Sequence, residues 1–253
     1  MPDPLAQTSH RPWPLPSRRW FMAQGWCDLL FAHWRVPVEA LRQRIPERLQ
    51  IDTFGGEAWI GVVPFRMRGI RPRFLPAVPW LSAFAELNLR TYVRLDDRPG
   101  VFFFSLDAAN PVAVALARRF FLLPYFRARM QCVDEGDDLA YASRRTHPGE
   151  TAVAFAGRYG PTGGVFHAER GTLEHFLTER YCLYASGASV GRSGDSLLRA
   201  EVHHAPWPLQ PARAALEVAP LLATVGVESA AAAAPHLLFA RHIDVRVWRP
   251  RKV

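Results

Sequence analysis

Lysine is almost missing from this 253-residue chain: of its 31 basic side chains thirty are arginine, and the one lysine is Lys252, next to the last residue. Arginine keeps its proton in proteins, whereas a desolvated lysine can present a free amine, so chemistry through an internal amine nucleophile is nearly excluded. Cysteine is scarce as well. Cys27, Cys132 and Cys182 are odd in number, far apart and without Cys-x-x-Cys spacing, which speaks against a disulfide framework or a structural zinc site and points to a reducing cytoplasm. No apolar run approaches the roughly eighteen residues of a membrane span. The stretch Met1 to Arg19 holds five prolines and no apolar h-region, so it reads as an irregular arm rather than a secretory signal. The formal charge is +8, yet the basic residues stand singly or in pairs, and specific nucleic-acid binding is not expected.

What is present is apolar and aromatic. With 49% hydrophobic and 12% aromatic residues, residues 20–253 can bury the core of a single domain. Trp20 to Trp34 reads as a buried strand with Gly25 at a bulge, and Val38 to Arg44 as a short helix. Leu49 to Thr53 and Ala58 to Arg68 flank Gly55-Gly56 as the arms of a hairpin, and proline-rich Arg71 to Pro79 is a loop. Phe84 to Arg94 alternates strictly, with Ala85, Leu87, Leu89, Thr91 and Val93 on one face and Glu86, Asn88, Arg90 and Tyr92 on the other. Pro99-Gly100 turns into a strand over Val101 to Asp107, and Asn110-Pro111 opens a helix through Phe121.

Further strands are expected at Tyr125 to Val133, Leu139 to Arg145, Ala152 to Arg158, Leu197 to His204 and His236 to Trp248. Helical readings fall on Leu173 to Ala185 and Pro211 to Val218, with a polar loop at Gly187 to Gly194. Strand and helix alternate irregularly, so the pattern suits a mixed barrel or sandwich better than a doubly wound sheet.

The segments HWRVP, GEAWIGVVPFRM, AFAELNLRTYV, PGVFFFSLDAANPVAVALARRFFLLPYFRARM, LTERYCLYA and EVHHAPWPLQPA occur in the order in which they stand in the YqjF-like family of bacterial proteins. Over about residues 20 to 250 the chain resembles that family, which looks like a branch of the acetoacetate decarboxylase-like superfamily. The resemblance implies an α+β, mainly β fold, a conical antiparallel β-barrel with flanking helices. It also implies that Leu123-Pro124-Tyr125-Phe126-Arg127 matches the segment that carries the decarboxylase's Schiff-base lysine, so Tyr125 and Phe126 stand where lysines would. Schiff-base decarboxylation is therefore not expected. Glu86, in Phe84-Ala85-Glu86, resembles the superfamily's pocket glutamate.

Same-face residues on a strand are about 6.6 Å apart, so Glu86, Asn88 and Arg90 span roughly 13 Å. Facing inward, each needs a partner from another strand or a ligand; facing outward, the row is a solvated surface. An inward Glu86 with a raised pKa suits acid-base catalysis, Tyr125 could donate to a carbonyl or enolate oxygen, and Arg90 could clamp a carboxylate. The candidate set is Glu86 and Tyr125 as catalytic residues, with Asn88, Arg90, Tyr92 and Arg118 binding an anionic small molecule. It suits proton transfer beside a carbonyl, as in a lyase, isomerase or hydratase, and equally a non-catalytic ligand-binding protein. Arg118 and Arg119 also end a helix, where the dipole favours cations. His203 and His204 point to opposite faces of a strand, so no metal site is expected from them alone or with His33 or His242. No cofactor is expected, Ser105 and Asp107 lack a Gly-x-Ser-x-Gly elbow, and self-association into a homo-oligomer stays open.

Overall fold

A computed structural model describes residues 3–186 and 197–253; the loop read at Gly187 to Gly194 lies outside them. Among the described residues thirteen strands form one sheet. In chain order they are β1 (Met22–Val36), β2 (Gln50–Ile51), β3 (Ala58–Pro72), β4 (Phe84–Leu95), β5 (Arg98–Ala108), β6 (Tyr125–Glu135), β7 (Asp138–Arg145), β8 (Ala154–Pro161), β9 (Cys182–Ser186), β10 (Leu197–His203), β11 (Leu209–Glu217), β12 (His236–Val247) and β13 (Arg251–Lys252). Four short helices accompany them: α1 (Val38–Arg42), α2 (Pro111–Phe121), α3 (Leu173–Thr178) and α4 (Ala219–Ala223).

The pairings close on themselves. One circuit runs β1-β3-β4-β5-β6-β7-β8-β11-β12 and back to β1, and a second leaves it at β5, passes through β9 and β10, and rejoins at β12. Every pairing is antiparallel except those of β5 with β6 and with β9. The fold is thus mainly β and ring-like, accompanied by a few short helices, in line with the resemblance.

Because β1, β3 and β4 belong to both circuits, both of their faces are buried. On one side Leu30, Val62, Leu87 and Leu89 pack with Tyr141, Phe155, Tyr159 and Phe239. On the other, Phe31, Val63 and Phe65 join Val202, Trp207 and Leu238, while Tyr92 joins Val101, Phe103, Leu106 and Tyr125 under α2 and α3. Two apolar layers leave no solvated face for Glu86, Asn88 and Arg90 of β4.

Four expectations are corrected. Gly55 and Gly56, with φ of 62° and 83°, do form a tight turn closed by an antiparallel bridge between Phe54 and Glu57, but β2 pairs with β4 rather than with β3, so Leu49 to Thr53 and Ala58 to Arg68 are not its two arms. The turn before β5 is at Asp96, φ 52°, and Pro99-Gly100 lies within the strand. Of Leu173 to Ala185 only the first six residues are helical, and Cys182–Ser186 runs as a strand between β5 and β10. Pro211 to Val218 is not a helix, since Leu209–Glu217 pairs with both β8 and β12. In β1 the register against β3 shifts at Ala23/Gly25, as Gly25 suggests, and again beyond Cys27, where Asp28 has a φ of 53°.

The proline-rich arm is docked. Arg11 forms a buried ion pair with Glu201 at 3.0 Å, Trp13 donates its indole N–H to the same carboxylate, and the Pro4 carbonyl meets His203 Nε2. Lys252 belongs to β13, which pairs with β10, and its side chain is exposed at that edge.

Candidate functional site

The strict alternation of β4 puts Glu86, Asn88, Arg90 and Tyr92 on the face shared with α2 and α3. Cross-strand register fixes their walls: Glu86 lies between Phe65 and Ala108, Asn88 between Val63 and Leu106, and Arg90 between Gly61 and Phe103. All three polar residues are buried, at 2%, 6% and 8% exposure. An ionisable row in such apolar walls is costly unless paired, and only part of it is paired by the protein.

At one end, the Tyr125 hydroxyl donates to Glu86 Oε2 at 2.9 Å, and the Asn88 side chain also bonds to the carboxyl. Burial outweighs both bonds and pushes Glu86 up to about 8, so near neutral pH it is mainly the acid. Burial and the neighbouring carboxyl together hold the Tyr125 phenol well above its usual range. Tyr125 reaches this position because β6 starts parallel to β5, with Tyr125 beside Leu106. Asn110 caps α2, accepting from the Val112 and Ala113 amides, and Leu122 in the left-handed region ends the helix just before Pro124.

At the other end, Arg90 lies over the Phe31 and Tyr92 rings, at 5.4 and 5.8 Å. Its Nη2 reaches the Leu177 carbonyl at 3.3 Å and the Tyr92 hydroxyl at 3.4 Å, while its Nε has no partner in the protein. No carboxylate among the described residues is within 4 Å of this guanidinium. Tyr92 donates to the Leu177 carbonyl at 2.8 Å and contacts His33 Nε2 at 2.6 Å. Its hydroxyl is thereby committed to holding Arg90 and His33, which is a different place from the ligand-contacting one expected from the sequence.

Arg118 also stands apart from the set to which the sequence reading assigns it. Its Nη1 donates to the Tyr125 carbonyl at 2.9 Å and its guanidinium lies over Phe126, so it braces the start of β6. Ser105 and Asp107 face the other layer, opposite Leu89 and Leu87, and Asp107 is paired with Arg145 at 2.8 Å. Glu179 accepts from the Trp207 amide and the Tyr181 hydroxyl, a structural contact. His203 and His204 bond to the Pro4 and Ala205 carbonyls, and no group of three metal-binding side chains occurs among the described residues.

His33 is the residue that sequence reasoning passes over as a site member. It is fully buried, and burial followed by the Arg90 charge holds its imidazole well below the usual range, hence neutral. A Cβ on Gly61 would lie 2.8 Å from the His33 ring, so that glycine makes room for it. The only signal was one polar residue inside the apolar run Leu29 to Trp34. Three surface cavities of about 510, 340 and 600 Å³ lie elsewhere, and none is lined by Glu86, Asn88 or Arg90. Buried charge, not concavity, marks this site.

Comparison with known proteins agrees with the geometry at the level of fold. The structure of acetoacetate decarboxylase from Legionella pneumophila superposes with a TM-score of 0.64 at 12% identity, covering 97% of this chain and 93% of that one. The enduracididine biosynthesis enzyme MppR complexed with pyruvate gives 0.60 at 11% identity, covering 96% and 93%. In sequence, the uncharacterized protein YqjF of Bacillus subtilis (strain 168) is 42% identical over 238 residues, 94% of this chain and 95% of that protein. Because the family model described as an uncharacterized conserved protein also matches residues 23–244, the chain belongs to that YqjF-containing family, DUF2071, on an acetoacetate decarboxylase-like fold.

Proposed function

We propose that the buried face of β4 binds an anionic carbonyl or carboxylate compound and that Glu86 moves a proton on it, in chemistry of the lyase, isomerase or hydratase kind. The observation that carries this reading is one face holding a neutral buried carboxyl and a buried guanidinium without an ion-pair partner among the described residues. Arg90 takes the ligand's carboxylate. Glu86 acts as acid near neutrality, and as base once ionised, within reach of the same ligand. Tyr125 bonds to Glu86 and tunes it, Asn88 orients it, and Tyr92 and Arg118 hold Arg90 and Tyr125 in place. The fold neighbours include a decarboxylase and an enzyme complexed with pyruvate, which is consistent with a small carboxylate ligand.

Schiff-base chemistry is not part of the proposal, because no lysine lies on this face and Lys252 is exposed at the β13 edge. Borohydride trapping in the presence of acetoacetate should leave the protein's mass unchanged; an adduct with carbon dioxide release would defeat that part.

The acid-base part is tested by thermal-shift screening of carboxylic acids, followed by solvent-deuterium incorporation into each hit. Exchange by the wild type that disappears in Glu86→Gln while binding persists is the expected result. Binding without exchange for every hit would instead establish a non-catalytic ligand-binding protein. Arg90→Lys should weaken carboxylate binding about tenfold, since the charge stays but the planar fork is lost.

A further inference from the structure

The hydrogen-bonding inventory of the site selects among carboxylates. A compound held at Arg90 and reaching Glu86 must cross Asn88, which stands between them on the same face of β4. The Asn88 amide N–H₂ is the end that bonds to Glu86, and its Oδ1, buried, has no partner in the protein. His33 supplies a second acceptor. The one proton of the Tyr92 hydroxyl goes to the Leu177 carbonyl, so the 2.6 Å contact requires that His33 Nε2 carry the hydrogen and give it to Tyr92. The ring being neutral, Nδ1 is a bare lone pair, and it too is buried without a partner. Beside the unpaired donor Arg90 Nε, this site therefore leaves two unpaired acceptors, three of the fifteen buried side-chain atoms without a protein partner among the described residues. What sets these three apart is that they lie on or beside the polar face of β4.

We infer that the ligand is a hydroxy acid, whose carboxylate pairs with Arg90 and whose hydroxyl donates to Asn88 Oδ1. This rests on the reading that Arg90 takes a carboxylate. An oxo acid has no hydrogen to give and would leave Asn88 Oδ1 desolvated and unpaired. An amino acid could donate, but its ammonium would enter a site where the guanidinium is positive and Glu86 is mainly neutral, with no carboxylate to receive it. A hydroxyl satisfies the acceptor without bringing charge.

The test uses the full-length protein and matched four- and five-carbon acids carrying a hydroxyl, oxo or amino group at carbon 2 or 3, with affinities from calorimetry. The expected result is that a hydroxy acid binds about tenfold or more tighter than its oxo and amino counterparts. In Asn88→Leu, which places an apolar side chain between Val63 and Leu106, the ratio of hydroxy-acid to oxo-acid affinity should fall to about one, whatever carboxylate affinity remains. Equal or tighter binding of oxo acids, or an undiminished preference in a folded Asn88→Leu protein, would overturn the hydroxy-acid assignment and leave the carboxylate reading standing. Failure of every carboxylic acid to bind would overturn both.

Discussion

Glu86 ties the chemistry of the site to the stability of the protein. Its carboxyl is raised from 4.5 to about 8 by burial, so between those values the folded chain holds a proton that the unfolded chain has released. The sign follows: the protonated group favours the folded state at low pH, and that advantage is lost as pH rises, by up to about 1.4 kcal/mol per pH unit inside the window. In urea unfolding at pH 6 and pH 8, wild type should lose on the order of 2 kcal/mol more than Glu86→Gln, which cannot ionise. An identical pH dependence in both proteins would show that Glu86 is not held neutral. Tyr125→Phe removes a hydrogen bond that lowers the carboxyl's pKa, so Glu86 should then titrate above wild type. Its side-chain carbon chemical shift, followed by NMR against pH, reads this directly. Gly61→Ala should displace the imidazole, since no Cβ fits 2.8 Å from the His33 ring.

Helix α2 and strand β6 position the acid's partner, so damage to the element should reach the site at a distance. Asn110→Ala removes the cap from two α2 amides and a bond to the Trp80 carbonyl, and should cost about 1 kcal/mol or more in thermal unfolding. Arg118→Met should free the Tyr125 carbonyl and reduce deuterium exchange without altering carboxylate affinity, a split that a ligand-contacting arginine would not give. The same elements show what could be read from the chain. Asn-Pro at the start of α2 and the alternation of β4 were visible because their signals are local. Leu209–Glu217 was not: its Ala- and Leu-containing composition favours a helix, and only the ladders to β8 and β12 override it. The alternation of β4 showed which residues share a face but not that both faces are buried, because that depends on strands β9 and β10 closing the second circuit far along the sequence. His33 was hidden for the same reason, in a strand buried on both sides and so without periodicity.

Across the whole molecule, the arginine excess is distributed rather than concentrated. Arg11, Arg145 and Arg180 are buried against Glu201, Asp107 and Asp52, and Arg66, Arg158 and Arg213 pair with acids nearer the surface. Arg90, like Arg199, is buried with no carboxylate within 4 Å among the described residues, and it is the one of the two that the proposed function assigns to the ligand's carboxylate. The net charge of +8 then acts as a diffuse field that attracts polyanions weakly and without selection. Duplex DNA should accordingly bind, if at all, without sequence preference, and lose on the order of a thousandfold in affinity between about 50 and 200 mM salt. Carboxylate binding at buried Arg90 should change far less over the same range, because little electrolyte reaches a charge enclosed by Phe31, Phe103 and Tyr92. Titrating both ligands across that salt series separates the two electrostatic regimes in one protein. Parallel salt slopes would place the carboxylate on the surface, and sequence-selective DNA binding at physiological salt would move the function away from the β4 face altogether.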